Sequence, residues 1–267
     1  MVDAFEAVSF LTRSENRVDV LECLAGGPYT ERELVAETGV SDVTVGRVLE
    51  DFEERGWVVE TDDGYRRTRI GELVAEDYAR LHDSMDLACR LGPVRDLLPV
   101  EEFPFDLRLL TDARVSDPDR FDPLRAVDRW KELLRGADRF VGVAPAATGT
   151  TVVAEPFHEE ITENGLAFSA VVSQRYYETV TERAETRRLV REELEAGAEM
   201  YLAADETEFQ VSVAAFDDVA TISAYDDAGN LRAGVESRAE PVREWVLDTY
   251  ESHREDATRL TPADFPE

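Results

Sequence analysis

Lysine is almost missing from this chain. Lys131 is the single lysine among 29 basic residues, the other 28 being arginines, against 59 Asp and Glu and a formal net charge of −30. Cysteine is scarce: Cys23 and Cys89 are too few for a disulfide framework or a multi-cysteine metal site. No apolar run approaches the roughly 18–20 residues that span a bilayer. The opening MVDAFEAVSF carries acids where a signal peptide has its positive segment. The expectation is a cytoplasmic chain with no membrane partner, no cofactor and no metal. Apolar content of 43% still excludes a wholly disordered chain, and 267 residues allow one large domain or two.

What is present begins with the charge. An acidic excess with arginine in place of lysine resembles the proteins of extreme halophiles, which hold molar salt in the cytoplasm. At molar salt the Debye length falls to about 3 Å, so like charges repel far less than in dilute buffer. Net charge therefore does not exclude DNA as a partner here, although DNA binders are ordinarily basic.

The first ninety residues read as a chain of short helices. Phe5, Val8 and Leu11 mark the first; Ser14 caps the second, with Val18, Val20, Leu21 and Leu24 inward. Gly26-Gly27-Pro28 stops it. Thr30 and Glu33 form a capping box for the third, which Gly39 ends. Ser41 caps a fourth helix to about Arg55, with Val45, Val48, Leu49 and Phe52 inward. Two strand-like runs, 57–60 and 65–70, then flank Asp63-Gly64, a hairpin signal. After Gly71 a long helix is expected to about Leu91, striped by Val74, Tyr78, Leu81, Met85 and Ala88. That stripe suits an interface between two copies or a seam against the chain's own second domain.

Residues 31–59, ERELVAETGVSDVTVGRVLEDFEERGWVV, closely resemble the recognition unit of winged helix-turn-helix proteins. The resemblance implies double-stranded DNA as partner, with the second helix of the pair entering the major groove. Ser41, Asp42, Thr44, Gly46 and Arg47 then point outward. Ser41 and Thr44 suit phosphates or base edges. Arg47 suits guanine O6 and N7, and Gly46 allows close approach to the groove wall. Asp42 is a cap or an acceptor from a cytosine amine, both open. In the wing, Arg66, Arg67 and Arg69 suit phosphate or minor-groove contact; strand alternation places Arg67 and Arg69 on one face. The rival use of such a fold is protein interaction, attached to a small-molecule-binding or enzymatic α/β domain.

Gly92-Pro93 marks the expected domain boundary, giving 1–92 and 93–267. The second part alternates strands and helices. Residues 103–115 read as extended and 122–136 as a helix. RFVGVA (139–144) is a buried strand, 152–164 a helix, and LAFSAVVS (166–173) another buried strand. Residues 176–196 read as one amphipathic helix. Strands follow at 200–203, 209–216, 219–225 and 231–236, with a turn at 226–230, and a closing helix covers 241–254. The fold class is α+β: a winged helix-turn-helix, then an α/β domain with a mixed sheet. AVVSQRYYETV, FDDVATISAYDDAGNLRAGVESRAEPVREW and WVLDTYESHREDATRL resemble the effector domain of the methanogenesis-regulator (Fil-type) middle-domain family of archaeal regulators. The resemblance implies a haloarchaeal transcriptional regulator whose second domain senses an unidentified small-molecule effector or mediates assembly; the 72–91 stripe and the symmetry of operators predict a homodimer.

Catalytic patterns are missing from the second domain. The histidines are His82, His158 and His253, none two residues before the lone lysine, so the His-x-Lys motif of phospholipase-D-like domains cannot form. Gly-x-Ser-x-Gly, Walker A and paired-histidine motifs are absent too, and the chain is not expected to be an enzyme. His158, between Phe157 and Glu159, reads as a surface residue. Cys23 and Cys89 read as packed side chains. For the effector, the loop 145–151 after a buried strand offers Thr148, Gly149 and Thr150 to an anion. Ser173 and Gln174 follow the next strand on the same sheet edge.

Overall fold

The computed structural model describes residues 3–116, 123–145, 154–204, 211–225 and 231–266. They divide into two units, Met1–Met85 and Asp86–Glu267.

In the first unit, helices α1 (Ala4–Thr12), α2 (Glu15–Cys23), α3 (Glu31–Thr38) and α4 (Asp42–Glu54) follow in order. Thr30 and Glu33 form the capping box: the Glu33 carboxylate accepts the Thr30 N–H at 2.8 Å, and the Thr30 hydroxyl accepts the Glu33 N–H. The Thr30 N–H, and then the Thr30 hydroxyl donating to the same carboxylate at 2.7 Å, hold the Glu33 carboxyl below the ordinary carboxylate value. Gly39 closes α3 in the left-handed conformation, φ 69°. Val40 plugs the turn, and Val45, Val48, Leu49 and Phe52 bury one side of α4 against Leu34, Val20 and Leu21. Ser41 is the α4 N-cap by position, but its hydroxyl bonds the Thr44 hydroxyl at 2.8 Å instead of a backbone N–H.

Strands β1 (Val58–Thr61) and β2 (Gly64–Arg67) form the antiparallel wing, Thr61 opposite Gly64. Tyr29 adds a third strand position, exchanging both backbone bonds with Tyr65 at 2.9 and 2.8 Å. Helix α5 (Arg69–Leu91) starts earlier than its sequence suggests. Thr68 ends the strand: its N–H donates to the Trp57 carbonyl at 2.9 Å and its hydroxyl to the Gly56 carbonyl at 2.6 Å. The same hydroxyl accepts the Gly71 N–H at 3.1 Å and starts the helix. Arg69 is thus a helix residue, and strand alternation does not relate it to Arg67. The α5 stripe also divides. Val74 and Tyr78 pack on the first core, Leu81, Met85 and Ala88 are exposed, and Leu87 and Leu91 are buried in the second core.

The second unit is built on one mixed sheet. Its described strands are β3 (Arg114–Ser116), β4 (Arg139–Ala144), β5 (Ala167–Val172), β6 (Glu199–Leu202), β7 (Ser212–Phe216), β8 (Val219–Tyr225), β9 (Leu231–Ser237) and β10 (Thr258–Arg259). Their order is β10-β6-β5-β4-β7-β8-β9-β3, with β4, β5 and β6 parallel and the other pairs antiparallel. Helices α6 (Pro123–Arg135), α7 (Ala154–Thr162), α8 (Gln174–Glu182), α9 (Ala184–Glu195) and α10 (Glu240–Glu255) cover it. Period-two alternation separates the two cores. Val141, Val143, Val171, Val213 and Ala215 share a core with Val242, Val246 and Tyr250 of α10. Phe140, Ala170, Val172, Ala214 and Phe216 share the other with Leu134, Ile161, Val180 and Val190 of α6 to α9. At the β7–β8 turn Asp217 is left-handed, φ 49°. Its carboxylate accepts the Asp138 and Arg139 N–H groups at 3.0 Å each, anchoring the start of β4.

Two expected elements differ. Residues 103–115 are mostly not extended: short 3-10 turns occupy Val100–Glu102 and Leu107–Leu110, and only Arg114–Ser116 is strand. Asp106 caps the second turn by accepting the Arg108 N–H at 2.9 Å. The expected helix 176–196 is two helices, broken at Arg183 (φ −113°, ψ 130°). Thr186 secures the break, its hydroxyl donating to the Val180 carbonyl at 2.7 Å. The expected turn 226–230 and the start of the strand at 209 lie outside the described residues.

Candidate functional site

The inward anchors of α4 fix what its other side presents. Ser41, Asp42 and Arg47 are exposed, and Thr44 and Gly46 are half-buried. Arg47 makes no hydrogen bond or ion pair among the described residues, in a chain where arginine is commonly paired with a neighbouring acid (Arg80–Glu76, Arg188–Glu192). Gly46 is not required by packing: a Cβ there would meet only a Glu31 carboxylate oxygen, at 4.0 Å. Val43, on the same outward turn, is 84% exposed. Sequence reading passes over it because an apolar residue amid Val45, Val48 and Leu49 is assigned to the core. Its exposure places a branched methyl pair beside Arg47, the chemistry that meets a thymine methyl.

The wing arginines separate. Arg66 and Arg69 are exposed. Arg67 turns inward: Nε donates to the Leu21 carbonyl at 2.6 Å and Nη2 to the Glu22 carbonyl at 2.9 Å. These are carbonyls of the last turn of α2, where a cation also meets the negative end of the helix dipole. Burial holds the Arg67 pKa below the ordinary guanidinium value, with Glu22 opposing. The structure therefore brings Arg66 and Arg69 to the surface without Arg67, which ties the wing to α2.

In the second unit Thr148, Gly149 and Thr150 lie outside the described residues. Ser173 is buried and its hydroxyl is committed, donating to the Pro145 carbonyl at 2.5 Å and accepting the Tyr176 N–H at 3.0 Å as the cap of α8. Among the described residues Gln174 reaches the Glu178 carboxylate alone, at 3.5 Å. A cavity of about 110 Å³ opens beside them, between the sheet and α6 to α9. Its wall is aromatic, with Trp130, Phe157, Phe168 and Tyr176, and Glu193 of α9 lines it. Burial, then the neighbouring Glu192, pushes the Glu193 carboxyl up to about 8. Burial, then Glu193, pushes the Tyr176 phenol up.

His158 is not a surface residue. Its side chain is 22% exposed, with Nε2 3.3 Å from Glu192 and Nδ1 3.6 Å from Glu193. Nδ1 is buried without a hydrogen-bond partner among the described residues. The acids that matter to it come from α9, 34 and 35 positions on in the chain, not from adjacent Glu159. Cys89 is exposed and Cys23 half-buried, so only Cys23 keeps a share of the packing role expected of both. Among the described residues no three His, Cys, Asp or Glu side chains are grouped to hold a metal ion, and no helix is long and apolar enough to cross a membrane.

A winged helix-turn-helix followed by an α/β unit with a mixed sheet defines a class, the two-part winged-helix regulators. Within it, residues 5–90 match the HVO_A0261 N-terminal domain, and residues 123–256, half of the chain, match the middle domain of the methanogenesis regulatory protein FilR1. The chain belongs to this FilR1 middle-domain family of regulators. Solved structures resemble it more loosely. TrmBL2, an archaeal chromatin protein, is 13% identical with a TM-score of 0.42, the match covering 97% of this chain and 100% of that one. The phospholipase D family member Nuc from Salmonella typhimurium is 11% identical with a TM-score of 0.43, covering 56% and 97%. NucT from Helicobacter pylori is 10% identical with a TM-score of 0.41, covering 55% and 99%. No curated protein matches the chain.

Proposed function

We propose that the chain is a sequence-specific, DNA-binding transcriptional regulator of an extreme halophile, acting in the cytoplasm as a homodimer. Residues 1–92 read DNA and 93–267 sense a signal. The observation that carries this reading is Arg47: an exposed arginine without a partner among the described residues, on the first turns of a helix whose opposite side is locked into the core. Ser41, Asp42, Thr44 and Gly46 share its surface, Val43 adds a methyl contact, and Arg66 and Arg69 reach the flanking backbone. The test is chromatin pull-down of the tagged protein with sequencing, in native salt. Sharp peaks sharing one sequence motif are expected, and featureless enrichment from a folded protein would reject specific DNA binding.

Salt dependence should be unusual. A basic protein loses DNA affinity steeply with salt as counterions are released, log K falling with slope about −0.9 per phosphate neutralised. Here acids such as Asp42 and Glu31 lie beside the reading surface, and bringing them to phosphate requires uptake of cations. Affinity for the operator is expected to stay flat or rise as KCl approaches the molar range. A steep fall across that range, measured by fluorescence anisotropy, would contradict it.

The dimer seam is assigned to α5. Leu73, Leu81 and Met85 are 58%, 44% and 59% exposed, an apolar row that a two-fold copy would cover, matching operator symmetry. Sedimentation equilibrium in molar KCl is expected to give a dimer, and Leu81→Glu with Met85→Glu a monomer. A monomeric native chain would remove the seam.

A further inference from the structure

The cavity of the second unit has walls of one chemistry and a floor of another. Phe140 and Phe168 stack with ring centres 4.9 Å apart, and Phe157 meets their edges at 5.2 and 5.6 Å. Trp130 closes the cluster 6.1 Å from Phe157. These ring faces are electron-rich and attract cations. Among them stands one carboxyl, Glu193, with its side chain 6% exposed. The described residues lining the cavity include no arginine or lysine. His158 stays 3.6 Å from the carboxylate, beyond hydrogen-bond reach, with that nitrogen unbonded among the described residues. A buried acid without a bonded partner is costly, and neither the fold nor the DNA-reading surface uses this one.

We infer that the cavity is a binding site for a small apolar or aromatic amine, its ammonium held by the Glu193 carboxylate and its body enclosed by Trp130, Phe157 and Phe168. The cavity, about 110 Å³, is smaller than the engineered cavity of roughly 150 Å³ that accepts benzene, so it suits a short alkyl chain, or a single ring that extends into its opening. Anions are disfavoured, because the described lining holds no arginine or lysine and the aromatic ring faces repel negative charge. The site deepens the reading of this unit as the signal-sensing part, giving the effector a chemical class.

Proton linkage gives the site a signature. With the carboxyl pushed up to about 8 by burial, Glu193 keeps its proton at pH 7. An ammonium beside it favours the carboxylate. Binding therefore releases a proton at pH 7 and tightens as pH rises toward 8. The described groups facing Glu193 are His158 from α7, Tyr176 from α8 and Glu192 on its own helix, and Tyr225 of β8 lines the same cavity.

The experiment is isothermal titration of the full chain in molar KCl, without DNA, with benzylamine, benzyl alcohol and benzoate as probes. Benzylamine is expected to bind at least tenfold more tightly than benzyl alcohol, and benzoate not at all. The benzylamine heat should vary with buffer ionisation enthalpy, reporting proton release. Glu193→Gln, isosteric with the protonated acid and so compatible with the fold, should reduce benzylamine affinity at least tenfold and spare benzyl alcohol. Equal affinity for amine and alcohol, benzylamine binding unchanged in E193Q, or no binding of any probe at millimolar concentration would overturn the assignment. DNA is absent throughout, so this result and the pull-down fail independently.

Discussion

Gly71→Ala is expected to unfold the first unit at temperatures the native chain survives. Gly71 sits within the first turn of α5, and a Cβ built there stands 1.9 Å from the Trp57 carbonyl oxygen and 2.8 Å from the carbonyl carbon. Both are backbone atoms, so no side-chain rotation relieves the overlap. Trp57 is itself fixed, because its carbonyl accepts the Thr68 N–H and its ring lies 5.6 Å from that of Phe52 in the core. The helix start must move by more than an ångström, breaking the Thr68 bonds that join wing to helix. Overpacking typically costs about 1–3 kcal/mol, and a clash with backbone belongs at or above the top of that range. A unit of this size has roughly 4–13 kcal/mol in total, and each kcal/mol moves its Tm by about 4–8 °C. A first calorimetric transition lowered by roughly 12 °C or more is expected, with the second unit's transition unmoved. Gly46→Ala is the control: it is helical and has open space, so removing glycine should stabilise α4 by up to about 1 kcal/mol. A G71A transition within a degree or two of the native one would mean that helix and wing do not approach as described.

Arg47→Glu should abolish operator binding and leave thermal stability where it was. An arginine bidentate to guanine contributes about 1–3 kcal/mol of discrimination. Reversing its charge adds repulsion from phosphate, so a loss of at least 100-fold, roughly 2.7 kcal/mol, is expected. Stability should hold because Arg47 is exposed and contacts no partner among the described residues. Arg67→Glu should behave oppositely. It breaks the two bonds to the α2 carbonyls and places a carboxylate at the negative end of that helix, so Tm falls along with affinity. Anisotropy on the operator recovered by pull-down, paired with thermal melts, separates the two. Native affinity in R47E would remove Arg47 from the reading surface; an unchanged melt in R67E would remove the structural role of Arg67.

The contrast between the two arginines shows which information is local. Thr30 with Glu33, Gly39 after α3, and the 45, 48, 49, 52 spacing are legible because each partner lies within a turn or two of the other. The order helix, helix, hairpin follows from them. The sequence groups Arg67 with Arg66 and Arg69 because three arginines stand close together, yet its partners are 45 and 46 residues away. Gly71 read as punctuation before a helix; its actual reason is the Trp57 carbonyl, across the wing. His158 and Glu193 show the same limit in the second unit. Each lies in an acidic stretch that resembles solvated surface, and only the packing of α7 on α9 puts them indoors. Val43 was hidden by the opposite bias, since apolar residues are assigned inward by default.

The two backbone bonds between Tyr29 and Tyr65 make helices α3 and α4 the contents of a closed ring. Drawing the ends of a segment like 29–65 together costs about 3 kcal/mol or more of chain entropy, while two net hydrogen bonds return only about 1–3. The ring therefore does not close until Leu34, Val45, Leu49 and Phe52 have collapsed inside it, and they are not held in register until it closes. Wing and recognition helix thus appear together or not at all. A partly folded copy displaying α4 without its wing, free to grip DNA in the wrong place, is a species this connectivity keeps from accumulating.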